Sequence, residues 1–227
     1  METDAPPDRP HQLRAVRLGD RPDAWAAAGF AVVDHHDGTG TVQLGRTTLE
    51  LSGAGGGVEG WALDGVDHAV DGLPRIVPWD RPASAPDAPH PNGVLRIDHV
   101  VLLTGDVPRS VAALEAAGLE VRGTRAARSA GAPAVQVFLW AGDVILELVG
   151  PAEGGPTSEG PTTVMGLALA VADLDASARD LGELLGTPRD AVQPSRRAAT
   201  LRHGRVGMHL PLLLMSPHVT AGRDGDG

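Results

Sequence analysis

The chain has 227 residues, 29 acidic against 19 basic side chains and a formal net charge of −10, with no cysteine and no tyrosine. Every basic residue in that total is an arginine. Disulfides, cysteine-ligated zinc, thiolate nucleophiles, Schiff-base lysines and tyrosine acids are therefore excluded. No basic run offers the clustered charge that nucleic acid or an anionic membrane surface requires.

No apolar run approaches the roughly 18 to 20 residues of a membrane span. The N-terminal "METDAPPDRPHQ" lacks the basic-then-apolar order of a signal peptide. A soluble, cytoplasmic protein is expected, with no nucleic-acid or membrane partner. The arginine bias and the abundance of Ala, Gly and Pro suggest a GC-rich bacterial origin.

In chain order, residues 1–10 are expected to be a disordered tail. Residues 11–70 read as a degenerate first β-α-β-β-β module with an extra strand. It runs "LRAVRLGDRPDAWAAAGFAVV", "GTVQLGRTTLELSG" and "EGWALDGV". A second possible strand, "LPRIVPW", opens a Pro-rich linker over 71–94. The linker's "DRPASAPDAPHPNG" reads as extended surface chain, because its prolines lack a donor N–H.

Residues 95–151 form the second module, "IDHVVLLTGDVPRSVAALEAAGLEVRG" followed by "AVQVFLW", a turn at "AGD", and "VILELVGP". Residues 152–162 read as a flexible Gly/Pro/Thr spacer. Residues 163–216 are the third module, "MGLALAVADLDASARDLGELLG" with "RRAATLRHGRVGMHLPLLLMSP", and 217–227 a second disordered tail. In each module an apolar strand ends at an aspartate (Asp20, Asp106, Asp173) placed at or near a helix N-cap. Gly29, Gly118 and Gly186 are expected to close the three helices.

This repeated outline resembles the vicinal oxygen chelate superfamily, which includes glyoxalase I, extradiol dioxygenases and bleomycin-resistance proteins. The motifs that carry the likeness are "IDHVVLLTGDVPRSVAALEAAGL", "GDVILELVGP" and the second copy "GLALAVADLDASARDLGELLG". The resemblance implies an α+β fold in which tandem β-α-β-β-β modules form curled mixed sheets with helices outside. It implies a small-molecule ligand in an apolar cavity, with metal-dependent lyase, isomerase or dioxygenase chemistry. Sequestration of a drug or metabolite without a metal is the alternative. A divalent metal (Zn, Mn, Fe or Ni) would be held by a histidine of the first strand and a glutamate of the last, which here are His99 and Glu147.

The residues support that pair independently. Strand parity places His99 on one face with Ile97, Val101 and Leu103, and Glu147 on one face with Ile145 and Val149. A carboxylate among aliphatic neighbours is costly to bury unless a cation or donors meet it, and a His/Glu pair suits those metals by ligand type. By the same parity Asp98 faces the other way and is read as structural. The alternative for His99 is a core histidine bonded to a carbonyl.

In the third module, Gly166 and Leu213 stand where His99 and Glu147 stand in the second. In the first, Leu13 takes the histidine position and Glu50 the glutamate position. A cavity between modules one and two would hold Glu50, His99 and Glu147, with Glu147 or Glu50 moving a proton. A cavity between two and three would keep only His99 and Glu147. The short spacer favours the second arrangement and the ligand count the first. Glu50, flanked on its face by Thr48 and Ser52, otherwise points at water.

Arg196 and Gln193 are candidates to bind the substrate, an inward arginine being suited to clamp a carboxylate. The alternative for Arg196 is a solvated strand position. His209 is a weaker candidate of the same kind. His35 and His36 read as a hairpin turn. Three modules leave one apolar sheet face unpaired, so a homodimer is also expected.

Overall fold

The computed structural model describes residues 10–83, 88–129 and 131–217. The two expected tails fall almost wholly outside those residues, as does the middle of the Pro-rich linker. Among the described residues, thirteen strands form two curled, mixed sheets with short helices packed on them, an α+β fold.

The first unit comprises β1 (Leu13–Leu18), α1 (Pro22–Ala27), β2 (Val33–Asp34), β3 (Gly40–Leu44), β4 (Thr47–Leu51) and β5 (Val58–Leu63). Its sheet order is β2-β3-β4-β1-β5. The second unit is β6 (Val94–Leu103), α2 (Val107–Ala116), β7 (Val121–Ser129), β8 (Ala132–Ala141) and β9 (Val144–Pro151). The third is β10 (Thr163–Val171), α3 (Leu174–Leu181), β11 (Arg189–Asp190), β12 (Arg197–Thr200) and β13 (Leu212–Met215). These two share one eight-stranded sheet, ordered β11-β12-β13-β10-β6-β9-β8-β7.

The open question of pairing is thereby answered. β6 and β10, the first strands of units two and three, lie antiparallel at the centre of the large sheet. Glu50 therefore sits in a separate sheet from His99 and Glu147. In the first unit the corresponding edge of β1 is taken by β5, which runs antiparallel to it.

Local sequence explains most of the elements. The Asp106 carboxylate accepts from Arg109 N at 3.0 Å, and Asp173 accepts from Asp175 N and Ala176 N at 2.9 and 3.0 Å. Each such cap contributes about 0.5–2 kcal/mol. Asp20 does something else. It is buried, accepts from the Trp25 indole at 3.1 Å, and binds His209 N and Nδ1 of the third unit at 2.9 and 2.7 Å. Arg21 occupies the N-cap of α1 with no side-chain cap.

Gly29 and Gly118 follow their helices in the left-handed region, at φ 79° and 88°. Helix α3 departs from expectation, closing at Gly182 (φ 51°) rather than Gly186, after which one 3-10 turn (Gly182–Leu184) continues the chain. The apolar core lies between the sheets and helices. Trp25, Leu49, Ile97, Leu102, Leu114, Leu146, Leu169 and Leu214 are all essentially inaccessible there. Burying each such side chain contributes about 1.5–3 kcal/mol.

The linkers are less free than their composition implied. His90 is buried, accepting from Ala31 N at 3.0 Å and donating to Gln43 O at 2.8 Å. Asn92 is buried as well, bonding Ala28 O, Val94 N and, through its carbonyl, Ser177 Oγ. "LPRIVPW" forms no named strand, but Pro74 and Ile76 exchange backbone hydrogen bonds with Trp61 of β5. The spacer is pinned through Thr162, whose hydroxyl donates to Asp71, a carboxylate that also receives Arg109 Nε at 2.8 Å.

Candidate functional site

The concave face of the large sheet carries a cleft of about 410 Å³ between units two and three. His99, Val101, Gln136, Glu147 and Val149 form one wall. Met165, Val192, Gln193, Leu213 and Met215 form the other. A larger hollow of about 540 Å³ opens at the outer ends of β7 and β8, but the charged side chains on its described wall are Arg125 and Glu153 alone. The chemistry converges on the smaller cleft.

Parallel pairing of β6 with β9 sets Val101 opposite Glu147 and His99 opposite Ile145. His99 and Glu147 are thus diagonal neighbours on one face, and Nε2 of His99 lies 3.5 Å from Oε2 of Glu147. Both side chains are about nine-tenths buried. The second Glu147 oxygen accepts from Gln136 Nε2 on β8, and Gln136 Oε1 accepts from Arg125 Nε on β7 at 2.8 Å. The Arg125 guanidinium also rests 5.5 Å from the Phe138 ring.

On the other side of the imidazole, His99 Nδ1 lies 2.9 Å from Asp98 Oδ2. Strict alternation placed Asp98 on the opposite face, and the structure corrects this. Ala168 pairs with His99 but Leu169 pairs with Ile97, so Asp98 is the extra residue of a β-bulge. A bulge interrupts the period of two and re-aims a side chain. Nothing in "RIDHVV" marks the extra residue, so alternation alone misplaces Asp98.

Arg196 completes this group. It is buried and its fork grips Asp98, with Nη2 to Oδ1 at 2.9 Å and Nη1 to Oδ2 at 3.1 Å. It also donates to Gln193 Oε1 at 2.8 Å and Ser216 O at 2.9 Å. The sequence offered Arg196 as a clamp for a substrate carboxylate or as a solvated strand residue. It is buried, and the carboxylate it clamps is the protein's own. Gln193 does reach the cleft wall.

Burial opposes ionisation of Asp98, but the hydrogen bonds from His99 and Arg196 and the adjacent guanidinium charge outweigh it, holding the carboxyl well below the usual range. An ionised Asp98 only accepts, so the His99 proton on that edge sits on Nδ1. Nε2 is then presented to Glu147 and the cleft. Carboxylate, imidazole and carboxylate lie in series, anchored by Arg196 at one end and by Gln136 and Arg125 at the other.

Glu50 is placed apart. It is buried in the first sheet, paired with Arg17 at 2.7 Å and accepting from Trp79 N at 2.5 Å. It does not face water as its neighbours suggested, nor does it reach His99. The arginine side chains of Arg17 and Arg81 flank the Trp79 ring at 4.8 and 5.3 Å, which seats the linker over this face. Ile76 packs there against Ala15 and Ala62. The sheet face expected to be unpaired is thus covered by the chain itself, which removes that ground for a homodimer. His209 lies against Asp20, away from the cleft.

The donors present do not complete a divalent-metal site. Register confirms the correspondences across the pseudo-symmetric halves: Val101 pairs with Glu147, and Ala168, two residues after Gly166, pairs with Leu213. The third unit therefore offers no side chain where a histidine would stand and a leucine where a carboxylate would. Among the described residues no group of three His, Asp or Glu side chains converges with metal-binding geometry. Two protein donors do not make a resident metal site of the usual kind.

No protein-family model matches the sequence, and no curated protein matches it. Solved structures do. A triple mutant of 4-hydroxymandelate synthase from Streptomyces coelicolor superposes with a TM-score of 0.61 over 92% of this chain and 93% of that one, at 15% identity. Catechol 2,3-dioxygenase gives 0.53 over 94% and 89%, at 12% identity. A xylose isomerase-like TIM barrel/4-hydroxyphenylpyruvate dioxygenase fusion protein gives 0.57 at 11% identity, with this chain spanning about half of its length (53%). The chain has the vicinal oxygen chelate fold. No helix among the described residues is long and apolar enough to cross a membrane.

Proposed function

We propose that the chain binds a small organic molecule in the cleft between its second and third units, with His99 and Glu147 as the polar centre that meets it. The observation that supports this most is the series Asp98–His99–Glu147–Gln136, whose His99, Glu147 and Gln136 lie on the cleft wall beside Val101, Val149, Met165, Leu213 and Met215. A cleft of this size and lining suits a small organic ligand. A histidine whose Nδ1–H is fixed by a carboxylate leaves Nε2 to accept or share a proton with whatever enters. Binding without a resident metal agrees with the donor count. The convergence of His99 and Glu147 at family positions favours a second reading, in which a metal joins when a ligand supplies the missing donors.

Thermal-shift screening of a library of small organic acids, alcohols, amines and aromatics tests the reading. Ligands should raise the melting temperature of the wild type and have no effect on Leu213→Trp, in which the indole fills the cleft. Ligands that stabilise both proteins equally, or a library without a single hit at millimolar concentration, would overturn it.

A further inference from the structure

We infer that the ligand of this cleft is an amphipathic organic acid, its carboxylate met by Arg125 and Arg128 and its apolar body lying on Met165, Leu213 and Met215. This rests on the reading of the cleft as a ligand site and deepens it.

The first observation is the state of the two arginines. Both lie on β7 and on the wall of the cleft. Several described arginines, among them Arg17, Arg109 and Arg196, hold an ion pair with Asp or Glu, and Arg125 and Arg128 are the two arginines on the cleft lining. Among the described residues Arg125 and Arg128 hold none. Arg125 is tethered by its Nε to Gln136 and by its guanidinium face to Phe138, which leaves its two terminal nitrogens unengaged by any described acceptor. Arg128 gives one nitrogen to the carbonyl of Gly131. In a chain with ten more acidic than basic side chains, two arginines lining one cleft with no carboxylate partner among the described residues mark a place for an external anion. A planar guanidinium matches a carboxylate in bidentate fashion.

The second observation is the opposite wall. Leu213 stands at the place where a second acidic donor would be expected, and Met165 and Val192 are large apolar side chains left 47% and 80% exposed at the mouth. Exposed apolar groups rimming a cleft are accounted for when an apolar ligand body covers them. Methionine adapts to irregular ligand shapes. Among the described residues Asp190 is the one carboxylate on that far wall, and Glu147 lies on the wall of His99. These two exclude a second anionic group from those positions, so the acid is charged at one end only.

The third is the path between the two. The tether Arg125–Gln136–Glu147 links the anion-binding end to the His99–Glu147 pair. A carboxylate drawing on Arg125 is thereby linked to the imidazole through two hydrogen-bonded side chains, Gln136 and Glu147.

Isothermal titration with matched probes tests the inference: phenylacetate, 3-phenylpropanoate and 4-methylpentanoate, each against its primary amide. The protein is the full chain as wild type, Arg125→Gln/Arg128→Gln and Leu213→Trp. Both arginines lie at the surface of an edge strand, and the double variant is checked by circular dichroism before use. At least one acid should bind the wild type about tenfold or more tighter than its amide, the gap should collapse in the double variant, and Leu213→Trp should abolish binding of both. Equal affinity for acid and amide, with Leu213→Trp still blocking, overturns the acid assignment and leaves the cleft reading standing. An acid preference that survives the double variant overturns the role of the arginines. Binding that persists in Leu213→Trp, or no binding of any acid at millimolar concentration, overturns both.

Discussion

Asp98 and Arg196, 98 residues apart in sequence, meet through two hydrogen bonds of 2.9 and 3.1 Å inside the protein. The bond pair ties the first strand of the second unit to the segment entering β12 of the third. It also sets the tautomer of the imidazole that faces the cleft. Stability and site geometry thus share one ion pair.

Replacing one partner leaves the other charge buried without compensation, which costs about 3–5 kcal/mol. Asp98→Asn and Arg196→Gln should each lower the unfolding free energy from urea titration by that order. The double variant should lose clearly less than the sum, since neither charge is then stranded. Additive losses in a double-mutant cycle would count against a coupled pair. The pH dependence has a definite sign. The folded Asp98 carboxyl lies below its ordinary value, so its contribution is complete above the unfolded carboxyl range near 3.9 and is lost as pH falls through the folded value. Wild-type stability should therefore drop with acidification below about pH 4, and the drop should be shallower in Asp98→Asn.

His90 titrates in a milder range. Burial disfavours its cationic form most, and the bond donated to Gln43 acts against this. The net effect lowers it below the ordinary histidine value of about 6.5. The folded state accordingly holds fewer protons than the unfolded chain. Its contribution is present above pH 6.5 and is lost as pH falls from there through the folded value. Protonation would also place a hydrogen on Nδ1, the atom that accepts from Ala31 N. Unfolding free energy measured between pH 7.5 and 5.5 should fall in the wild type and stay flatter in His90→Asn. An identical slope in the two proteins would remove His90 from the account.

Metal affinity provides a third test. If Leu213 stands where a carboxylate would complete the ligand set, Leu213→Glu should bring a third donor to His99 and Glu147. Titration with Mn²⁺ or Zn²⁺ should show weak binding to the wild type and binding on the order of 100-fold tighter to the variant, the scale on which such ligand-shell changes act. His99→Ala should reverse the gain. Gly166→His is a poorer route, because a Cβ there would come within 2.7 Å of Pro211 O.

The repeat outline and the helix caps at Asp106 and Asp173 could be read from spacing and hydrophobic period, because each is a short-range pattern, whereas the pairing of His99 with Glu147 was implied by the family resemblance with strand parity in support. Three things could not. The bulge at Asp98 is a property of registry against β10 and leaves no local trace. The fate of Arg196 depended on a partner 98 residues away. Gln136 was visible as a polar residue inside "AVQVFLW", yet only the β8–β9 register brings it to Glu147. The linkers misled for a related reason. Proline-rich composition reports what a segment cannot form, but His90 and Asn92 are held by groups scattered from Ala28 to Ser177.

The strand β5 has a consequence for how such a chain can grow. An exposed β1 edge would present unsatisfied backbone groups, an invitation to indiscriminate association. β5 takes that edge, and residues 74–76 in turn bond to Trp61 within it. A duplicated segment that arrives with its own sealing strand can be appended to a finished pair without creating a sticky margin. A third unit can therefore sit beside a closed pair with no open β1 edge.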